Sequence, residues 1–76
     1  MGRRDKLMII RDVLRACNAL ERKTAISRKA NVELTRLQPI LDALIDAGLI
    51  EGDNPYILTE EGRRFLNVLE RLCGSS

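Results

Sequence analysis

The stretch LIEGDNPYILT, residues 49–59, constrains the fold of this chain more than any other. It holds two short strand candidates, Leu49 to Glu51 and Tyr56 to Leu58, split by Gly-Asp-Asn-Pro, a dense run of turn residues. One hairpin over 49–58 follows. The rest of the chain is patterned as amphipathic helix, with no internal repeat and no linker. The fold class is therefore mainly α with a short β-hairpin, in a single domain over 1–76.

Four helices are expected around that hairpin. From Asp5, read as an N-cap, apolar residues recur at Ile10, Val13, Leu14, Cys17 and Leu20, while Arg11, Asp12 and Arg15 fall on the other side. This predicts a helix over 5–22, with Cys17 a small core residue rather than a reactive thiol. Thr24 is read as the cap of a short helix over 24–30, and Asn31 suits the left-handed turn that would end it. Thr35-Arg36-Leu37-Gln38 reads as a capping box, which starts the third helix at 35 and carries it to 47. That start keeps Pro39 at the edge of the first turn. A start at Glu33 would make Pro39 interior, at ~3 kcal/mol or a kink. Leu37, Leu41 and Leu44 then face inward, and Gly48 ends the helix with Leu49 folding back on Leu44. Thr59 is read as the cap of a last helix over 59–73, whose first turn carries Glu60 and Glu61 at the positive end of the dipole.

Composition excludes several functions. Histidine is absent, which removes the commonest general base and metal ligand. Cys17 and Cys73 form no CxxC pair, no calcium loop is spelled out, and no glycine-rich phosphate loop is present. No enzyme, metal or cofactor is expected. The apolar run near the start, Leu7 to Ile10, is too short for a signal peptide. Lys6 stands where myristoylation wants Ser or Thr, and Gly74-Ser75 are not the aliphatic pair of a prenylation site. With no long apolar window, no membrane is expected, and the setting is read as cytoplasmic and reducing, with both thiols free.

The order helix, short helix, tight turn, longer helix, hairpin, helix is that of a winged helix-turn-helix. The stretches KANVELTRLQPILDALIDAGLIE and YILTEEGRRFL resemble the archaeal winged-helix DNA-binding proteins, a family of small regulators and chromatin-type proteins. The resemblance runs from about Asp5 to Leu72. Its sharpest pieces are Ala30-Asn31-Val32, Leu44 to Ile50 through Gly48-Leu49, and Tyr56-x-Leu58-Thr59-x-x-Gly62. It implies double-stranded DNA as partner and a regulatory role, with no cofactor. Pro39 is not part of the family's pattern. The last helix stops near Leu72, where some members extend it into a dimer-forming coiled coil.

Charge is divided along the chain. Residues 1–36 carry ten Lys/Arg against four Asp/Glu, residues 37–62 carry none against six, and residues 63–76 carry three against one. Arg22, Lys23, Arg28, Lys29 and Arg36 form an electrostatic footprint around the second and third helices. Carried onto the helix-turn-helix geometry, Thr35, Arg36 and Gln38 reach the major groove, Arg36 suiting guanine and Gln38 adenine. Ser27, Arg28 and Lys29 hold phosphates, which position but read no sequence. The hairpin, with Glu51, Asp53 and Asn54, is expected to stand off from DNA. The alternative reading is a protein-interaction module that uses this acidic hairpin. A chain this short buries only about 60% of its unfolded surface, so a partner subunit would help it. The surplus of apolar positions at Met8, Ile9, Phe65, Val68, Leu69 and Leu72 marks a homodimer interface made by the first and last helices.

Overall fold

The computed structural model describes residues 6–53 and 55–72. Among them are four helices and one two-stranded antiparallel sheet: α1 (Lys6–Asn18), α2 (Lys23–Ala30), α3 (Leu34–Asp46), β1 (Ile50–Gly52), β2 (Tyr56–Leu58) and α4 (Glu60–Leu72). Helix α1 packs against both α2 and α4, and the hairpin leans on α1 and α4. The arrangement is that of a winged helix-turn-helix. The capping role of Asp5, the turn residue Asn54 and the thiol of Cys73 lie outside the described residues.

Each of the first three helices ends in the same way. Leu20, Asn31 and Gly48 adopt positive φ, of 60°, 56° and 79°. In α3 the N–H of Gly48 donates to the Ile45 carbonyl and that of Leu49 to the Leu44 carbonyl, a Schellman ending. In α2 Asn31 donates to Arg28 and Val32 to Ser27, and in α1 Leu20 donates to Cys17 and Glu21 to Ala16. So α1 stops at Asn18 and does not run to 22. Its reversal rests on a leucine in the left-handed region, and a tertiary bond supports it, the Tyr56 N–H donating to the Glu21 carbonyl at 3.2 Å.

The helix starts correct two expectations. Thr24 is not the cap of α2, because the helix already begins at Lys23 with Arg22 in the cap position and no side-chain cap bond. Nor do Thr35 and Gln38 form a capping box. Helix α3 starts at Leu34 with Glu33 in the cap position, again without a side-chain cap bond, so Pro39 is interior. The Schellman turn at Val32 leaves only Glu33 to reverse the chain, and the Glu33 carbonyl takes the N–H groups of Arg36 and Leu37 at 3.0 and 2.8 Å. Proline is tolerated because it is exposed, on the side of α3 away from Leu37, Leu41 and Leu44. The Thr35 carbonyl that loses its helical donor therefore faces solvent.

One core joins all elements. Val13, Leu14 and Cys17 of α1, Ile26 and Ala30 of α2, and Leu37 and Leu41 of α3 are fully buried, and Ile50, Tyr56, Leu58, Leu66 and Leu69 close it. The strands pair with Ile50 opposite Leu58 and Gly52 opposite Tyr56, which turns Ile50, Tyr56 and Leu58 inward and leaves Glu51 and Ile57 outward. Thr59 caps α4: its hydroxyl accepts from the Gly62 N–H at 3.0 Å and donates to the Gly48 and Leu49 carbonyls. That one side chain ties the start of α4 to the end of α3.

Candidate nucleic-acid interface

The edge formed by α2, the turn and α3 is built from its backbone upward. Asn31 bends the chain out of α2, and buried Val32 fastens the bend to the core. The Ser27 hydroxyl donates to the Val32 carbonyl and closes the turn. Ile26 and Ala30 hold α2 from below and Leu37, Leu41 and Leu44 hold α3, so the two helices carry their outer side chains as one rigid surface. Between them lies a concavity of about 520 Å³ lined by Ser27, Arg28, Asn31, Val32, Glu33 and Arg36.

The basic side chains differ in how free they are. Arg28 and Arg36 are exposed on either side of this concavity, and neither side chain has a hydrogen bond or ion pair among the described residues. The same holds for exposed Arg22 at the start of α2. Lys29 is paired with Glu21, from the loop after α1. Lys23 is half-buried and already has a partner. Thr35 is exposed on the first turn of α3, and Gln38 is half-buried with its amide Nε2 donating to Asp42 Oδ1 at 2.9 Å. Neither α2 nor α3 has a side-chain cap at its start, and Arg36 lies in the first turn of α3. Helix starts of that kind favour anions, and phosphate in particular.

Charge reverses farther along α3. Beyond Arg36 its exposed positions are Pro39, Asp42, Ala43, Ile45 and Asp46, with no cation. On the hairpin, burial, followed by the nearby Asp53 and Asp42 charges, pushes the Tyr56 phenol above its ordinary range. The sequence reading weighed a start at Glu33 and set it aside, and it overlooked the Gln38–Asp42 bond and the Lys29–Glu21 pair. The i, i+4 spacing of Gln38 and Asp42 was the one available signal for any of these.

The proposed dimer residues divide as well. Val68 and Leu72 are exposed, at 47% and 68%, and Met8, Ile9 and Phe65 are half-buried. Leu69 is only 1% exposed within the single chain, so it belongs to the core and leaves the interface set.

Among the described residues no group of His, Cys, Asp or Glu is arranged to hold a metal ion, and no helix is long and apolar enough to cross a membrane. A family profile described as winged helix-turn-helix matches residues 3–74. No curated protein matches the chain.

Proposed function

Since the chain belongs to the winged helix-turn-helix family, typically a non-enzymatic DNA-binding module, we propose that it binds duplex DNA as a transcriptional regulator, through the edge formed by α2, the turn and α3. One observation carries this reading. The Arg28 and Arg36 side chains face solvent without partners among the described residues, one in the last turn of α2 and the other in the first turn of α3, and they line one concavity. In this arrangement Arg22, Arg28 and the α2 start meet phosphates, while Thr35 and Arg36 lie closest to base edges. Lys29 and Lys23 contribute by exchanging their present partners for phosphate. An exposed pair such as Lys29–Glu21 is worth only about 0–1 kcal/mol, so that exchange is easy. A cytoplasmic setting and kinship with the archaeal members are part of the same reading.

The test is binding to random duplex DNA across a salt series. Log K should fall linearly with log salt, at about −0.9 per neutralised phosphate. Arg28→Ala should flatten the slope by about one unit, and Lys29→Ala by less, because Glu21 already holds that charge. Binding that ignores salt would overturn the reading.

A homodimer through α1 and α4 belongs to the same proposal. Leu7, Val68 and Leu72 are exposed on two helices that pack against each other, with Met8, Ile9 and Phe65 half-buried there. Two-fold pairing would present two recognition edges to half-sites about one DNA turn apart.

The second reading, a protein-interaction module, is favoured by the hairpin. Ile57 is 40% exposed and lies opposite Glu51 on its outer face, in a stretch without a single Lys or Arg. Replacing Glu51 and Asp53 with Lys separates the two. Tighter DNA binding at low salt supports the first reading, and unchanged DNA affinity with loss of a protein partner supports the second.

A further inference from the structure

A helix that enters the major groove lies between two walls of phosphate, and carboxylates on its outer surface are unfavourable there unless they meet donors. Helix α3 has that conflict. Its first turn carries Arg36, yet Asp42 and Asp46 are exposed farther along, and no cation lies between them. The donors on the floor of the groove are few: N4 of cytosine and N6 of adenine.

Asp42 is not a loose surface charge. It accepts the Gln38 Nε2–H at 2.9 Å, one helical turn away. A carboxylate can only accept, so this bond fixes which way the Gln38 amide points. Its nitrogen faces Asp42, and its carbonyl oxygen and second N–H remain for another partner. The second oxygen of Asp42 stays open as well. The pair therefore presents mainly acceptors, held in place by a bond within the helix, two and six residues beyond Arg36.

We propose that Gln38 and Asp42 act as one base-reading unit that selects an exocyclic amino group, of cytosine or adenine, across the outer face of α3 from Arg36. The inference rests on the DNA-binding reading above and adds a specificity element to it. Cytosine N4–H bonds to the open Asp42 oxygen. Adenine is met instead by the Gln38 fork, its N6–H bonding to the carbonyl and its N7 accepting the second N–H. Guanine O6 and thymine O4 are acceptors that would face mainly acceptors, with the second Gln38 N–H the one donor left to meet them, so they are disfavoured. The carboxylate also weakens binding to every site without such a donor. Arg36 and Asp42 then have opposite effects on non-specific affinity, though both contribute to selectivity.

The experiment selects bound duplexes from a pool with a randomised core, using the full chain, Asp42→Asn, Gln38→Ala and Arg36→Ala. Asn keeps the size of Asp and adds a donor, and position 42 is exposed, so the fold should persist; thermal melting checks that it does. The wild type should enrich cytosine or adenine at one position, cytosine pointing to Asp42 and adenine to the Gln38 fork. Asp42→Asn should lower that preference about 5- to 150-fold, the range of a good base contact, while holding or tightening affinity for random duplex. Gln38→Ala should weaken the same position, and Arg36→Ala a different one. An equal preference at that position in the wild type and Asp42→Asn overturns the inference. So does a wild type that binds all duplexes alike, which leaves the DNA-binding reading intact. A wild type that binds no duplex at low salt refutes both.

Discussion

Gly62→Ala should unfold this domain far more readily than a helix substitution of its size suggests. On propensity alone the change is favourable, since Ala in a helix interior is preferred to Gly by about 1 kcal/mol. The structure predicts the opposite sign. A Cβ at Gly62 would lie 2.0 Å from the Leu49 carbonyl oxygen, 2.9 Å from its carbon and 2.7 Å from Leu58 Cδ1. The Leu58 methyl belongs to a core side chain and the other two atoms are backbone, so the start of α4 must move away from the hairpin by about 1 Å or more. The Leu49 carbonyl is also the acceptor for Thr59 N–H and its hydroxyl, at 3.0 and 2.9 Å. Overpacking of this kind costs about 1–3 kcal/mol, and a weakened cap about 1 more. Offset by the propensity gain, the net loss is roughly 1–3 kcal/mol. A chain of this size has only about 4–11 kcal/mol of total stability.

Urea unfolding followed by far-ultraviolet circular dichroism measures this directly. With a slope near 1 kcal/mol/M, the midpoint should fall by roughly 1–3 M. Gly48→Ala is the internal control. Its φ is +79° but a Cβ there meets nothing within 4 Å, so only backbone strain remains, about 1–2 kcal/mol. A Gly62→Ala chain as stable as the wild type, or more so, would refute the close-approach argument.

Three further outcomes are expected. Leu20→Gly should raise the urea midpoint or leave it level, because relief of about 1–2 kcal/mol of left-handed strain outweighs the 0.5–1 kcal/mol entropic cost of glycine; a clear loss would mean that the 57% exposed Leu20 side chain holds a needed contact. The Cys17 thiol is pushed up to about 11 by burial, from 9.0, so it keeps its proton where the unfolded chain loses it. Stability is then complete below pH 9 and falls as pH rises towards 11, by roughly 2–3 kcal/mol, with Tyr56 acting in the same direction. Urea midpoints at pH 8 and 11 check this, and Cys17→Ala should show a shallower fall. Leu72→Asp should dissociate the proposed dimer without unfolding it, since Leu72 is 68% exposed; sedimentation of a folded dimer in that variant would place the interface elsewhere.

Legibility of the fold in the sequence follows from where the causes are local. Asn31 and Gly48 announce their helix ends because their residue types tolerate positive φ. Thr59 announces the start of α4 because its hydroxyl bonds three residues ahead. Leu20 occupies the same kind of position as Asn31 and Gly48, but leucine gives no such sign. What sets the turn there is the hairpin, through the bond from Tyr56 to the Glu21 carbonyl. The early start of α3 has a similar cause. The pattern Thr-x-x-Gln satisfied the rule for a capping box, yet the buried Val32 and the turn behind it had already committed the chain to begin one residue earlier. The role of Gly62 was equally hidden, because its neighbour Leu49 is close only once the hairpin and α4 have packed.

For the candidate site, the sequence located the charge but not its availability. Five basic residues around α2 and α3 look alike on paper. In the fold Lys29 meets Glu21 because the loop after α1 returns to α2, whereas Arg28 and Arg36 form no ion pair among the described residues. The same distinction bears on Pro39. It stands on the outer side of α3 between the basic first turn and the acidic half, and its ring offers no donor or acceptor to a base. Along α3 a DNA partner therefore finds a phosphate-seeking side chain only in the first turn, at Arg36, and after it the Gln38–Asp42 acceptors. Contact concentrated at that end suits a helix that enters the groove by its N-terminus, with the acidic hairpin held clear of the backbone. The acidic block is then compatible with DNA binding, because it restrains affinity for sequences that offer it no donor.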